Sequence, residues 1–334
     1  MRKLIPLLLL GMFIGCSERP GKPDPEFADN PLDNVLDDAP AEKRLEDVDA
    51  KDPVALRKQG NRCLEAGDFD DAIAYYTAAL YVKQDAMSHF NRGIAYMSKG
   101  DLDKALADYD MAVKLDPKQA SPYINRGLLL HSMGKTAQGI ADLTEARKLD
   151  EADPAILLNR GLLYLGIALY DRAITDFDLA IMMNPNYTDA LINRGYCFHR
   201  LKQYSKAVHD FDEAIKQAPT NALAHSNRGN AYVQINEFDK GLADLSEAIR
   251  LDSKDAQLYN NRGSAYGAKG DHVKAAADFG QAIELAPEFA PAYRNRGLAY
   301  HVLGDKSLAS ADFAIALNIE PQVTEGIPPE YLQK

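Results

Sequence analysis

Asn91-Arg92-Gly93-Ile94-Ala95-Tyr96 returns at positions 125–130 as Asn125-Arg126-Gly127-Leu128-Leu129-Leu130. The Asn-Arg-Gly triplet then recurs at 159–161, 193–195, 227–229, 261–263 and 295–297, always at the same interval. Self-similarity at a fixed period of this size marks a stacked-repeat architecture rather than one globular core. Gly60 precedes Gly93 by one position less than that interval and opens a divergent first copy. With that glycine as position 8, the units run 53–85, 86–119, 120–153, 154–187, 188–221, 222–255, 256–289 and 290–323.

Two apolar stripes of helical spacing per unit predict two amphipathic helices, A over positions 1–14 and B over about 18–31. Position 11 is aromatic in six units (Tyr96, Tyr164, Phe198, Tyr232, Tyr266, Tyr300), with Cys63 and Leu130 in the other two. Positions 8, 20 and 27 hold small residues, such as Gly93, Ala105 and Ala112, which let the A and B backbones approach. Position 24 is Tyr, Phe or Leu. Glycine at position 15 in five units (Gly67, Gly100, Gly134, Gly270, Gly304) supplies a left-handed stop after helix A. An aspartate often follows, as in Gly100-Asp101, and favours the start of helix B through the macrodipole. Proline sits at position 32 in five units. This pattern resembles the tetratricopeptide repeat over residues 53–323. The resemblance implies an all-α fold, a right-handed α-solenoid of eight tandem helix-turn-helix units making about one superhelical turn.

The 334 residues are 46% hydrophobic and 26% charged, within the globular range. A net charge of −11 argues against any grip on nucleic acid. Three cysteines cannot build a disulfide framework; Cys63 and Cys197, in units one and five, read as small core residues. No Gly-x-Ser-x-Gly, phosphate loop or His-Glu-x-x-His occurs, so no enzyme and no cofactor are expected. His131, His199 and His301 share position 12, but stacked helices lie about 8–10 Å apart, too far to share a metal. No metal site is expected, and these histidines read as groove hydrogen-bonding groups.

The front of the chain has a different texture. Met1-Arg2-Lys3 precedes an apolar run, Leu4 to Ile14, about half the length that spans a bilayer. Residues 1–15 therefore read as an export signal. Phe13-Ile14-Gly15-Cys16-Ser17 resembles the lipobox of bacterial lipoproteins, which implies that Cys16 becomes the acylated first residue of the mature chain. Ser17 after it resembles the outer-membrane choice, facing the periplasm; an ordinary cleaved secretory signal is the alternative. Residues 16–52 follow as an acidic tether: from residue 17 onward, twelve acidic and five basic side chains and five prolines predict disorder. Such a segment would span roughly 30–36 Å. The tail, 324–334, is too short for a full capping helix and should leave helix B of unit eight partly uncovered.

Position 7 is arginine and position 23 aspartate in units two to eight: Arg92 with Asp108, Arg126 with Asp142, Arg160 with Asp176, Arg194 with Asp210, Arg228 with Asp244, Arg262 with Asp278 and Arg296 with Asp312. In unit one both change together, to Gln59 and Tyr75, and this joint switch predicts contact. The expected role is a structural ladder of ion pairs between helices A and B; a basic strip for anionic ligands is the alternative.

The resemblance places helix A positions 2, 5, 6, 9, 12 and 13 on a concave groove. Met87, Phe90, Ile94, Met97, Ile124, Leu128, Leu158, Leu162 and Leu165 make its first half apolar, and Tyr196, His199 and Asn230 begin a more polar second half. Position 6 is asparagine in seven units, including Asn91, Asn125, Asn159, Asn193 and Asn227. A similar ladder in the repeats of O-GlcNAc transferase grips extended peptide backbones, a task an amide suits by donating and accepting at once. Bonds between neighbouring helices are the other reading. Arg57, Asn61 and Asn91 resemble half of a two-carboxylate clamp, but Ser121 and Asn125 stand where its Lys and Arg belong, so carboxylate capture is not expected. The whole resembles the outer-membrane repeat lipoproteins that act as adaptors for cell-wall hydrolases and the protease degrading them. The expected partners are a protein or extended peptide in the groove and the membrane through lipidated Cys16. A secretion or pilus-assembly lipoprotein and a self-associating envelope protein, such as a homodimer, are the alternatives.

Overall fold

A short helix standing alone cannot hide its own apolar stripe from water, so each stripe must be covered by a neighbour. The computed structural model describes residues 51–332, and the expected export signal, Cys16 and nearly all of the expected tether lie outside them. Among the described residues there are sixteen α-helices in eight pairs. Helix A of each unit is α1 (Pro53–Ala66), α3 (Ala86–Lys99), α5 (Ala120–Ser132), α7 (Pro154–Gly166), α9 (Thr188–Arg200), α11 (Ala222–Gln234), α13 (Ala256–Lys269) or α15 (Ala290–Leu303). Helix B is α2 (Phe69–Val82), α4 (Leu102–Leu115), α6 (Thr136–Leu149), α8 (Tyr170–Met183), α10 (Tyr204–Gln217), α12 (Phe238–Leu251), α14 (His272–Leu285) or α16 (Lys306–Ile319). Each helix packs on the next, and A helices of successive units also touch at six of the joints. The result is a right-handed α-solenoid. Among the described residues no helix is long and apolar enough to cross a membrane.

The A–B seam is tight because position 8 has no side chain. A Cβ on Gly161 would come within 2.5 Å of the Phe177 ring, and one on Gly93 within 2.7 Å of Tyr109. Units three and six solve the same seam differently. They carry Leu143 and Leu245 instead of a ring at position 24, with Gly139 and Gly241 instead of alanine at position 20. There the backbones close directly, so that a Cβ on Gly139 would collide with the Gly127 carbonyl. Volume lost from the side chain is recovered by approach of the main chain, which keeps the interior close-packed.

The stop after helix A is left-handed in all eight units. Glycine supplies it in five, with φ from 78° at Gly134 to 92° at Gly270. Ala168, Lys202 and Asn236 adopt it at φ 59–63° in units four to six. The aspartates after these stops do less than expected: Asp68, Asp101 and Asp305 make no side-chain cap bond, and Asp271 alone of the four accepts one, from Lys274 N. The caps sit one helix away, where Asp52, Asp85, Asp153, Asn221 and Asp255 accept backbone N–H groups at the start of A helices.

The tail does more than its length suggests. Val323 and Ile327 are buried, and the Tyr331 ring lies 4.9 Å from Phe313. This folded-back segment covers the inner stripe of α16, and Leu308 and Ile315 stay exposed.

Candidate functional site

The seven Arg–Asp pairs are identical forks. Arg92 donates from Nε to Asp108 Oδ2 and from Nη2 to Oδ1, both at 2.8 Å. Arg126–Asp142, Arg160–Asp176, Arg194–Asp210, Arg228–Asp244, Arg262–Asp278 and Arg296–Asp312 repeat it at 2.6–2.8 Å. The aspartates are only 2–8% exposed. Burial lifts the Asp108 carboxyl, but bonds from Arg92 and His89 outweigh it and hold the group below the ordinary carboxylate range.

A third bond, not anticipated from the sequence, ties each fork to the preceding unit. Nη1 of Arg92 donates to Thr77, of Arg126 to Asp110, of Arg160 to Thr144, of Arg194 to Asp178, of Arg228 to Asp212 and of Arg262 to Ser246, at 2.7–3.3 Å. All six acceptors occupy position 25. The signal was a small oxygen-bearing side chain at that position wherever arginine follows in the next unit. Gly280 is the exception and offers Arg296 no side chain. With three N–H edges engaged inside the protein, six of the seven arginines serve as staples across three helices rather than as a strip for anions.

Rings at position 11 stack on these guanidinium groups. Tyr96, Phe198, Tyr232 and Tyr300 centre 5.8–6.0 Å from the arginine carbon of their own unit. A second cation, Lys104, Arg172, Lys206, Lys240 or Lys274 at position 19, sits 5.2–5.7 Å over the ring in five units.

The apolar half of the groove is shallower than its composition suggests. Met87 is 41% exposed. Phe90, Ile94 and Met97 are half-buried against Tyr109 and Leu129, Leu128 leans on the Ile124–Leu143 cluster, and Leu158, Leu162 and Leu165 lean on Phe177. Ile124 does not line an open surface: it is wedged among Leu143, Ala146, Ile156 and Leu163 and is 5% exposed. Its side chain fills the joint between units three and four. In the second half, Tyr196 accepts a bond from Arg200 Nη1 at 3.0 Å.

The asparagines of position 6 divide. Asn91 donates to Asn61 at 2.9 Å, Asn261 to Ser226 at 3.1 Å and Asn295 to Asn260 at 2.9 Å, each bonding a neighbouring A helix. Asn125 stands beside the Tyr109 hydroxyl, which donates to Met97 Sδ at 3.7 Å, and Asn193 donates to the Asp189 carbonyl in its own helix. Asn159 and Asn227 are half-buried and make no side-chain hydrogen bond among the described residues. The clamp-like residues are engaged internally: Arg57 pairs with Asp85 at 2.9 Å, and Asn61 accepts from Tyr76 as well as Asn91.

His131 pairs with Thr136 at 3.0 Å and His301 with Tyr331 at 3.2 Å. Nε2 of His199 is buried without a partner among the described residues, and its ring meets Tyr204 edge-on at 5.2 Å. Burial depresses both His131 and His199. Cys197 is buried, which pushes its thiol up to about 12 and makes it unreactive. Among the described residues no group of three His, Cys, Asp or Glu could hold a metal ion.

Comparison with known proteins finds the same repeat along the chain. Family models described as tetratricopeptide repeats match residues 57–120, 92–163, 154–187, 188–221 and 256–289, and a TPR repeat model matches 229–270. The mitochondrial import receptor subunit TOM70 of Saccharomyces cerevisiae is 38% identical over 64 residues, 19% of this chain and 10% of that protein. The photosystem I assembly protein Ycf3 of Prochlorococcus marinus is 35% identical over 68 residues, 19% of this chain and 39% of that one. The chain thus spans about a tenth of the length of the mitochondrial receptor it matches. Among solved structures, a repeat protein from Parabacteroides merdae superposes with a TM-score of 0.63 at 22% identity, covering 74% of this chain and 97% of that one. The Cut9–Hcn1 assembly of the APC/C gives 0.59 at 16%, covering 88% and 58%. At these identities the likeness is one of fold.

Proposed function

We propose, from the premise that the chain belongs to the tetratricopeptide repeat family, that it is a protein-interaction scaffold whose A-helix groove holds an extended segment of a partner protein. The observation that carries this reading is the pair of unengaged amides, Asn159 and Asn227. Each sits where Asn91, Asn193, Asn261 and Asn295 are tied down in other units, and each keeps a donor and an acceptor for a passing backbone. The half-buried leucines Leu158 and Leu162 offer their exposed edges beside the first of them.

Acylation of Cys16 would hold this scaffold at a membrane, with the acidic segment to residue 52 as spacer. The support is the Phe13–Ser17 sequence and the Ser17 choice, which favour the outer membrane and the periplasm. In that setting the protein would serve as an adaptor for cell-wall enzymes. Two acyl chains suffice for durable anchoring.

The groove is tested by capture of envelope proteins with the wild type and with Met87→Glu/Asn159→Ala/Asn227→Ala. These side chains touch the core least, so the variant should keep its circular dichroism. Loss of a captured protein supports the groove, and equal capture by a folded variant rejects it. The anchor is tested by fractionating wild type and Cys16→Ser: the wild type should pellet with membranes and the variant should not. A wild type that stays in the supernatant ends the lipoprotein reading.

A further inference from the structure

Leu130 stands where six units carry an aromatic ring, and the space beside it is open. A cavity of about 370 Å³ lies there, lined by Leu106, Arg126, Leu130, Lys135, Gln138 and Ala141, among others. These are the same repeat positions, 7, 11 and 19, that hold the ring and its two cations in units two, five and six. The cavity therefore occupies the ring socket of unit three.

The chemistry of the socket survives without its ring. In unit eight the guanidinium of Arg296 has two rings, Tyr293 at 5.7 Å and Tyr300 at 5.8 Å. Arg126 has the first of these rings, Tyr123 at 5.5 Å, and lacks the second. Its N–H edges are taken by Asp142 and Asp110, so what remains for a ligand is the flat face of the cation. The second cation is also replaced. Position 19 is Gln138, but Lys135 lines the cavity from the A–B turn. A π-face sandwiched by two cations is what this repeat builds elsewhere, and an aliphatic chain would forgo that attraction.

We infer that this cavity binds one aromatic side chain, Tyr or Phe, presented by a partner polypeptide, which completes the ring ladder in trans. Positions 7 and 11 lie about 200° around the helix from positions 5 and 9. The socket thus opens away from the groove and shares no residue with it, so it stands whether or not the groove is a binding site.

The probes are acetyl-Gly-Tyr-Gly-amide and acetyl-Gly-Leu-Gly-amide, titrated into the full chain and followed by NMR. The tyrosine peptide should bind once per chain, at least fivefold tighter than the leucine peptide, and shift the amides of residues 126–142. Leu130→Tyr supplies the ring internally, as six other units do, and should abolish that binding. Ala141→Phe blocks the socket from α6 and should do the same, so the test survives misfolding of either variant. Tyr164→Leu, which empties the equivalent position in unit four, should raise the stoichiometry to two. Undiminished binding in folded Leu130→Tyr, equal affinity for the two peptides, or no binding by the wild type would each overturn the assignment.

Discussion

Positions 6 and 7 are adjacent on helix A, yet they live under different rules. The arginines of position 7 make the same two-pronged bond in seven units, with distances confined to 2.6–2.8 Å. The asparagines of position 6 bond a neighbouring helix, their own turn or nothing. A rotation of about 100° separates them, one toward the A–B seam and the other toward the groove. Uniform geometry at the seam means that units two to eight are joined by one and the same bond, which unit one replaces with Gln59 and Tyr75. Scatter at the groove means the stack tolerates any partner there, which leaves that face available for recognition.

The sharpest way to break this contrast is to remove one carboxylate from the seam and one amide from the groove. Asp210→Ala leaves Arg194 a cation in a mostly buried site with only Asp178 beside it. Loss of one partner of such a pair should destabilise by about 3–5 kcal/mol in urea unfolding, less if Asp178 compensates. Asn227→Ala should cost below about 0.5 kcal/mol. Equal costs would erase the distinction between the faces. Acid attacks the same seam. The Asp108 carboxyl is held below its usual range, so its contribution is complete above the ordinary carboxylate pKa and is lost as pH falls through the lowered one. Melting curves run downward from pH 5 should show that loss, and Arg92→Gln/Asp108→Tyr, patterned on unit one, should lack it.

How much of this could be read beforehand depended on whether the repeats varied together. Gln59 and Tyr75 switch jointly in unit one, and that pointed to the Arg–Asp contact. The Nη1 bond stayed hidden because position 25 is Thr, Asp or Ser by turns, and only the shared ability to accept unites them. Ile124 was misplaced for a different reason. An apolar residue at position 5 can face the groove or sink into the joint with the next unit, and the choice depends on Ile156 and Leu163 across that joint. Capping misled because Gly-Asp is a plausible start for helix B, while the side chains that cap lie at Asp85, Asp153 and Asp255. For residues 1–50 the reading rests on sequence alone.

A second contrast separates units that stop helix A with glycine from units four to six, which do not. Lys202 holds φ 61°, where its Cβ crowds the following carbonyl. Lys202→Gly should stabilise by about 1 kcal/mol, the left-handed penalty less the flexibility that glycine adds to the unfolded chain. Ala168→Gly should behave alike, and Asn236→Gly should gain less, since asparagine tolerates that region. A repeat array unfolds in parts, so hydrogen exchange in α9 and α10 is the appropriate measurement. No slowing of exchange there would mean the surrounding turn has already absorbed the strain.

The smallest effect lies at the one incomplete staple. Gly280 sits inside α14, and a Cβ there would meet Arg296 Nη1 at 3.7 Å, an ordinary van der Waals contact. Gly280→Ala should stabilise by about 0.5–1 kcal/mol through helix propensity alone. Serine is a poorer helix former than alanine, yet its hydroxyl would stand where Ser246 accepts from Arg262 at 3.3 Å. Gly280→Ser should therefore match or exceed Gly280→Ala, the bond to a charged donor offsetting the propensity deficit. A serine variant that falls below the alanine variant by that deficit would show the third bond contributes nothing. The fork alone would then carry the seam, and the small acceptors at position 25 would be followers of the arginine rather than its support.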